Sequence, residues 1–468
     1  MKIGLVGSTY EQRSLPFDAQ RSINLFPVLD EMGKEIASLY SVPGKSLFST
    51  VGTGPVREEF RSTNGRAFAV SGSGLYEINS GGTGTLLGSL GTSTGNVTVA
   101  ENQTQLAVCD GLKLYIFTYS SNTFQEVTDT DLPAQIGTIS YLNGYFVATE
   151  LNSGRFYISD LNNGLSWDAL RFATAESSPD SLVRAGGALG QLWLLGTFTT
   201  EIWTNTGDSN FPFRIISGAR LETGILAAHT FLDIDNSIVW LGRDRFGQGI
   251  VYRAQGFSPV RISNSPIERR IQAATSPENI KAYAYQDEGH TFYVLTGGGL
   301  ETSLVYDLTT QQWHERAYLN GQGNFEADLG GCHMFAFDKH LVGDRNNGKI
   351  YQLSQNFYTD GDGAGIARER IYTHLSDEGQ RIRYNSLEIG FETGVGLQSG
   401  QGSNPLVSLA LSRDGARTWI DCGTASIGAV GQYQKKVEFR RLGIAEQMTF
   451  KIRITDPVRV AITGSYLF

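Results

Sequence analysis

Long apolar runs are missing from this chain of 468 residues. No stretch approaches the ~18 residues that cross a bilayer as a helix, so no membrane insertion is expected. The opening segment, MKIGLVGSTYEQRS, has only a brief apolar stretch, too short for a secretory signal. Cysteine is scarce and scattered: Cys109, Cys332 and Cys422. An odd, sparse set argues against a disulfide framework and fits folding in a reducing cytoplasm. Histidine is thin as well, at six residues. Cys332, His333 and His340 are the one grouping with metal-ligand chemistry, and they lack C-x-x-C or H-x-x-x-H spacing. Basic residues are outnumbered, 38 against 47, giving a formal charge of −9. That balance opposes adhesion to nucleic acid, which needs clustered Lys and Arg, without barring DNA from passing nearby. Catalytic signatures are missing too: there is no G-x-S-x-G, P-loop or H-E-x-x-H. KIGLVGS lacks the third glycine and the helix that a dinucleotide-binding turn requires. Asp233, Asp235 or Glu176 could pair as carboxylates at a ring centre, but a chain this acidic offers many such pairs. No catalytic residue, metal or cofactor is expected.

What the chain does have is glycine, 56 of them, with frequent Asn-Gly, Asp-Gly and Ser-Gly punctuation between short apolar runs. This is the pattern of an all-β protein built of short strands. Ser181–Ile216 shows the unit most clearly. It reads as four strands, with Leu192-Trp193-Leu194-Leu195 as a continuous apolar core strand and Ile202-Trp203 as an apolar–aromatic pair in the next. The pair recurs as Leu75-Tyr76, Leu114-Tyr115, Phe156-Tyr157, Val251-Tyr252, Val305-Tyr306 and Ile350-Tyr351. The spacing of about 39 to 54 residues is that of β-propeller blades. Seven pairs imply seven blades, or six if one unit is an insertion. The aromatics are expected to pack between blades.

The last unit lacks a fourth strand of its own. Lys45–Thr50 is expected to supply it, with Leu47 and Phe48 pairing against Ile350 and Tyr351 to close the ring. Residues 1–44 read as an extended arm with a short strand near Ile23–Val28, and residues 45–358 as the propeller. Ile267–Ala274 is the best short helix. Residues 359–365 read as a flexible linker, since Asp360 and Asp362 lack the remaining ligands of a calcium loop. Residues 366–468 read as a separate β-sandwich, from alternation such as MTFKIRIT. Within it Ser412, Asp414, Gly415, Thr418 and Trp419 resemble a structural Asp-box turn, with alanine at 416 where that turn has glycine.

The chain resembles the phage stabilisation family, the packaged-DNA stabilisation, tail-hub or nozzle proteins of short-tailed bacteriophages. Segments carrying the resemblance include Arg21–Pro27, Ala175–Asp180, Thr200–Trp203, Trp313–Arg316, Leu411–Gly415, Arg440–Gly443 and Thr455–Val458. It implies a non-enzymatic virion tail protein, assembled in the host cytoplasm as a homo-oligomer, a hexameric ring. Its partners would be head-to-tail adaptor or portal proteins and tailspike or fibre proteins. Genomic DNA would be retained, then pass through the lumen without sequence-specific binding. An acidic wall suits such a conduit, because it discourages phosphate adhesion. Two other readings stay open on the residues alone: a carbohydrate-binding or sialidase-like propeller, and a monomeric scaffold presenting loops.

Overall fold

A computed structural model describes residues 2–29, 37–175, 179–361 and 363–468. Seven antiparallel blades form a ring beside a two-layered sandwich: five are four-stranded sheets, the fifth blade has five strands, and the sixth belongs to a twelve-stranded sheet that continues into the sandwich. The apolar–aromatic pairs show how sequence builds the ring. Successive side chains of a strand point to opposite faces, and in a propeller each face meets a different neighbour. The first residue of each pair therefore packs forward onto the next blade and the second packs back. Ile202 joins the core between blades four and five, whereas Trp203 meets Phe156 of blade three edge to face at 5.3 Å. Val251 and Tyr252, Val305 and Tyr306, and Ile350 and Tyr351 divide in the same sense. One apolar cluster fills each of the seven gaps. The Leu192–Leu195 run is continuous because both faces of its strand are covered: Trp193 and Leu195 face blade five, Leu192 and Leu194 face blade three. All four are at most 1% exposed. Burial of such side chains contributes about 1.5–3 kcal/mol each.

The seventh blade takes its outer strand from the N-terminal side. Gly44–Thr50 pairs antiparallel with Lys349–Ser354, joining the two ends of the ring. The helix spans Ser265–Ala273. Asn264 caps it by accepting from the Ile267 amide at 3.1 Å, and Pro266 starts it. Ile267 and Ile271 wedge between blades five and six.

Residues 1–44 depart from the expected arm. They hold strands at Lys2–Ile3, Tyr10–Glu11, Ala19–Ile23, Leu25–Leu29 and Ala37–Ser41, most of them built into the sandwich. One layer runs Leu25–Leu29, Ala37–Ser41, Ala461–Leu467, Ile382–Phe391 and Val437–Ala445. The other runs Ala19–Ile23, Arg368–Ile371, Gln447–Ile454, Leu406–Ser412 and Ile420–Ser426. Their shared core includes Leu25 and Leu39 beside Leu387, Val407, Ile452 and Ile462. The sandwich thus needs both ends of the chain. Residues 359–365 also differ from a flexible linker: Thr359 bridges Gly365, and Asp360 is buried. Asp362 lies outside the described residues.

Candidate functional site

The chemistry of this molecule concentrates where ring and sandwich meet. Ala19–Ile23 pairs parallel with the last strand of blade six, Ile23 opposite Glu315. Its other edge pairs antiparallel with Arg368–Ile371 of the sandwich. One strand therefore makes a continuous sheet from the propeller into the sandwich. Asn24 ends it in a left-handed turn, φ 55°, a conformation asparagine tolerates. The Asn24 amide donates to the Ala317 carbonyl at 2.7 Å and the Ala367 carbonyl at 2.8 Å, one on each side of the joint.

Buried charges reinforce the seam. Glu315 is fully buried and accepts from Arg21 Nε at 3.1 Å and Nη2 at 2.6 Å, from Thr302 at 2.8 Å and from Thr9 at 3.2 Å. Arg270 of the helix approaches it at 2.5 Å. Burial alone would raise the Glu315 carboxyl, but the two guanidinium groups hold it well below the usual carboxylate range. Arg370, also buried, has carbonyls instead of a carboxylate: its donors reach the Leu5 carbonyl at 2.8 Å, the Ser8 carbonyl at 3.0 Å and Gln20 Oε1 at 2.7 Å. Desolvation pulls it down to about 10. Lys45, on the closing strand, donates to Asp328 at 2.6 Å and Asp360 at 2.9 Å. These residues were not singled out as a site from sequence. Arg21 and Glu315 did lie in two of the segments that carried the family resemblance.

Around the closing strand, Tyr351 pairs with Leu47, and Ile350 with Ser49, leaving Phe48 at a bulge. Phe48 packs on Phe337 at 6.3 Å, while Leu47 is 54% exposed. Tyr351 donates to Asp344 at 2.9 Å. In the Asp-box-like turn, Asp414 accepts from the amides of Arg417 at 3.1 Å and Thr418 at 2.9 Å, and from the Thr418 hydroxyl at 2.6 Å. These bonds, the Thr418 hydroxyl's first, hold its carboxyl far below the usual range. Ser412 accepts from the Ala416 amide at 2.9 Å. Ala416 adopts φ 65°, the left-handed conformation glycine would relieve. Trp419 and Ala416 form a small cluster with Leu15, Ala19 and Ile371, so the turn braces the N-terminal segment.

The centre of the ring is occupied by charge. Lys281 of blade six reaches past blade seven to donate to the Arg57 carbonyl at 2.5 Å. The Arg57 guanidinium binds the carbonyls of Gly72, Thr92 and Gly95 at 2.8–3.0 Å. Glu58 of blade one and Arg184 of blade four interact across the axis. Desolvation depresses Arg184 to about 10 and His229 well below the ordinary imidazole range. His229 also lines a concavity of about 540 Å³, together with Asp110, Glu150 and Glu278. The paired-carboxylate candidates are not brought together as a catalytic pair. Asp235 forms an ion pair with Arg253 at 2.7 Å, and Glu176 lies outside the described residues. Cys332 turns toward Val56, whereas His333 bonds His340 at 3.1 Å on the opposite face. Among the described residues no three His, Cys, Asp or Glu side chains are grouped to hold a metal ion.

Fold and site together define a propeller–sandwich body in which the buried charge is used to join parts of the chain. The chain belongs to the bacteriophage P22 Gp10 family: the model described as its beta-propeller matches residues 1–358 and that of its beta-sandwich residues 367–467. It is a structural phage protein and a component of the virion. No curated protein sequence matches the chain. Among solved structures it is similar to the extracellular domain of the putative hybrid two component system BT4673 from B. thetaiotaomicron, at 9% identity and TM-score 0.46. That match covers 78% of this chain and 45% of the other, so the chain spans less than half of that protein. It is also similar to the N-terminal domain of Nup159, at 10% identity and TM-score 0.43, covering 71% and 98%. The computationally designed Ika8 protein matches at 13% identity and TM-score 0.40, covering 72% and 99%.

Proposed function

We propose that the protein is a ring-forming, non-enzymatic tail hub or nozzle that extends the portal–adaptor channel, retains packaged DNA and conducts it at ejection. The observation that carries this reading is the seam of Ala19–Ile23, hydrogen-bonded on one side to the propeller and on the other to the sandwich. A subunit of a pressurised conduit has to resist separation of its domains, and a shared sheet with buried ion pairs resists it better than a linker does. Charge on the innermost strands bears on the route. Arg57, Glu58, Arg184 and Lys281 stand on the innermost strands of each propeller, and this reading puts the DNA lumen between copies, around the axis of the assembly. Six copies, tailspike or fibre proteins on the outside and adaptor proteins above complete the reading. The test is electron microscopy of the purified protein with and without portal–adaptor complexes. A sixfold ring coaxial with the portal is the expected result. A monomer that does not bind the complex and binds glycans on an array would instead favour a carbohydrate-binding propeller.

A further inference from the structure

Charge is divided unequally along the chain. Residues 366–468 contain 13 Lys and Arg against 10 Asp and Glu, a surplus of three positive charges. The first 365 residues contain 25 against 37, a deficit of twelve. On the sandwich the positive charge gathers in a concavity of about 740 Å³ lined by Arg383, Arg413, Arg440 and Arg441, with Glu438 as its only acid. Glu438 binds Arg440 at 2.8 Å; Arg383 and Arg441 make no ion pair among the described residues. Two backbone features shape the concavity. The pairing of Ile382–Phe391 with Val437–Ala445 is bulged between Tyr384 and Ser386, and Arg441 sits in the left-handed region at φ 63°. A bulky residue held there is uncommon, and bulges re-aim side chains. Gly443, at φ 98°, leaves room for the Arg413 guanidinium, which a Cβ would meet at 2.4 Å. Arg413 then donates to the Leu442 carbonyl at 3.0 Å. Exposed Ile444 lines the same hollow. Arginine mixed with apolar surface is the composition of a protein contact rather than of a phosphate track.

We propose that this concavity receives acidic hairpin turns from the propeller of a second copy of the chain. The turns joining the innermost strand of each blade to the next all lie on one face of the ring. In blades five to seven these hairpins carry exposed acids, Glu288 and Asp338 in the turn itself and Asp233 on the short strand leading into it. A basic hollow and acidic knobs on different parts of one chain make a head-to-tail contact, the kind that closes into rings. The inference rests on the assembly proposed above and names the surface that would make it.

The test is a charge swap on the full chain, read by sedimentation in near-physiological salt. Arg383→Glu/Arg440→Glu/Arg441→Glu and Asp233→Arg/Glu288→Arg/Asp338→Arg are each expected to weaken self-association at least tenfold. An equimolar mixture of the two is expected to restore it, because each variant then meets the opposite charge. The milder Arg→Gln triple, with unfolding curves for every variant, controls for misfolding and is expected to give a smaller loss. Assembly by both swapped variants at wild-type strength would overturn this contact alone. So would a mixture that fails to recover, or an arginine variant that loses only DNA binding at unchanged mass. A wild-type chain that stays monomeric at every concentration would overturn the ring-forming function as well.

Discussion

Glu315 illustrates how a single buried carboxylate decides the fate of its neighbours. Removing its charge takes from Arg21 and Arg270 their one fully buried carboxylate and leaves them to share the partly exposed Glu11, and breaking a buried pair costs up to about 3–5 kcal/mol. Glu315→Gln is therefore expected to shift the urea midpoint strongly, whereas Arg66→Gln, at a half-exposed surface pair, should change stability by less than about 1 kcal/mol. Glu59 works in the opposite sense. Its carboxyl is buried with no basic side chain bonded to it, and burial, with Glu58 beside it, pushes it up to about 8. A raised acid stabilises most below its unfolded value and loses that contribution as pH rises towards 8. Glu59→Gln should thus stabilise the protein by on the order of 1–3 kcal/mol at pH 8, with little effect near pH 4, as measured by melts across that range. His314 and His333 are depressed by desolvation, His333 to about 3. The unfolded chain takes up protons below about pH 6.5 while the folded chain does not, so acidification is destabilising by up to about 1.4 kcal/mol per histidine and pH unit. His314→Phe, between Phe26 and Phe292, should lessen that loss.

The blades were legible because each strand obeys a local rule. Leu192–Leu195 and the pair Ile202-Trp203 bury both faces, so their composition alone reveals their surroundings. Lys45–Thr50 was legible because one blade lacked an outer strand. Of the sandwich strands, Leu25–Leu29 was legible as the short strand near Ile23–Val28, though not its place in the sandwich, and Ala19–Ile23 was hidden. Arg21 and Ser22 disguise the latter as polar arm, and its burial depends on partners as distant as Glu315, 294 residues from Arg21. The burial of Arg370 leaves no local mark either, because the carbonyls that enclose it, Leu5 and Ser8, come from more than 360 residues away. These readings bear on two variants. Deleting residues 1–50 removes the closing strand and the seam together, and is expected to give aggregated or early-melting protein; an unchanged thermal melt would refute the importance of both. Gly415→Ala places a methyl against Pro16 at 2.7 Å in a φ 74° turn and should cost about 1–2 kcal/mol in denaturant unfolding.

For the molecule as a whole, the seam predicts shared cooperativity. Domains joined by a linker unfold in separate transitions, whereas two joined by a common sheet should melt as one. Calorimetry on the intact chain is expected to show a single main transition. A chain truncated after residue 365 should leave the propeller with an unpaired Ala19–Ile23 edge and low solubility. Two well-separated transitions would mean that the seam carries little energy.

The same seam sets a timetable. Ala19–Ile23 leaves the ribosome early, yet its partners Glu315 and Arg368–Ile371 follow about 300 to 350 residues later, and Ala461–Leu467 beside Ala37–Ser41 later still. At roughly 5–20 residues per second the first strands wait on the order of half a minute for their neighbours. Ring closure therefore waits for Lys349–Ser354 and sandwich assembly for Ala461–Leu467, and a polypeptide cut short between the two by a stalled ribosome cannot finish the sandwich. A virion that takes up only completed subunits gains a check on integrity from chain order alone.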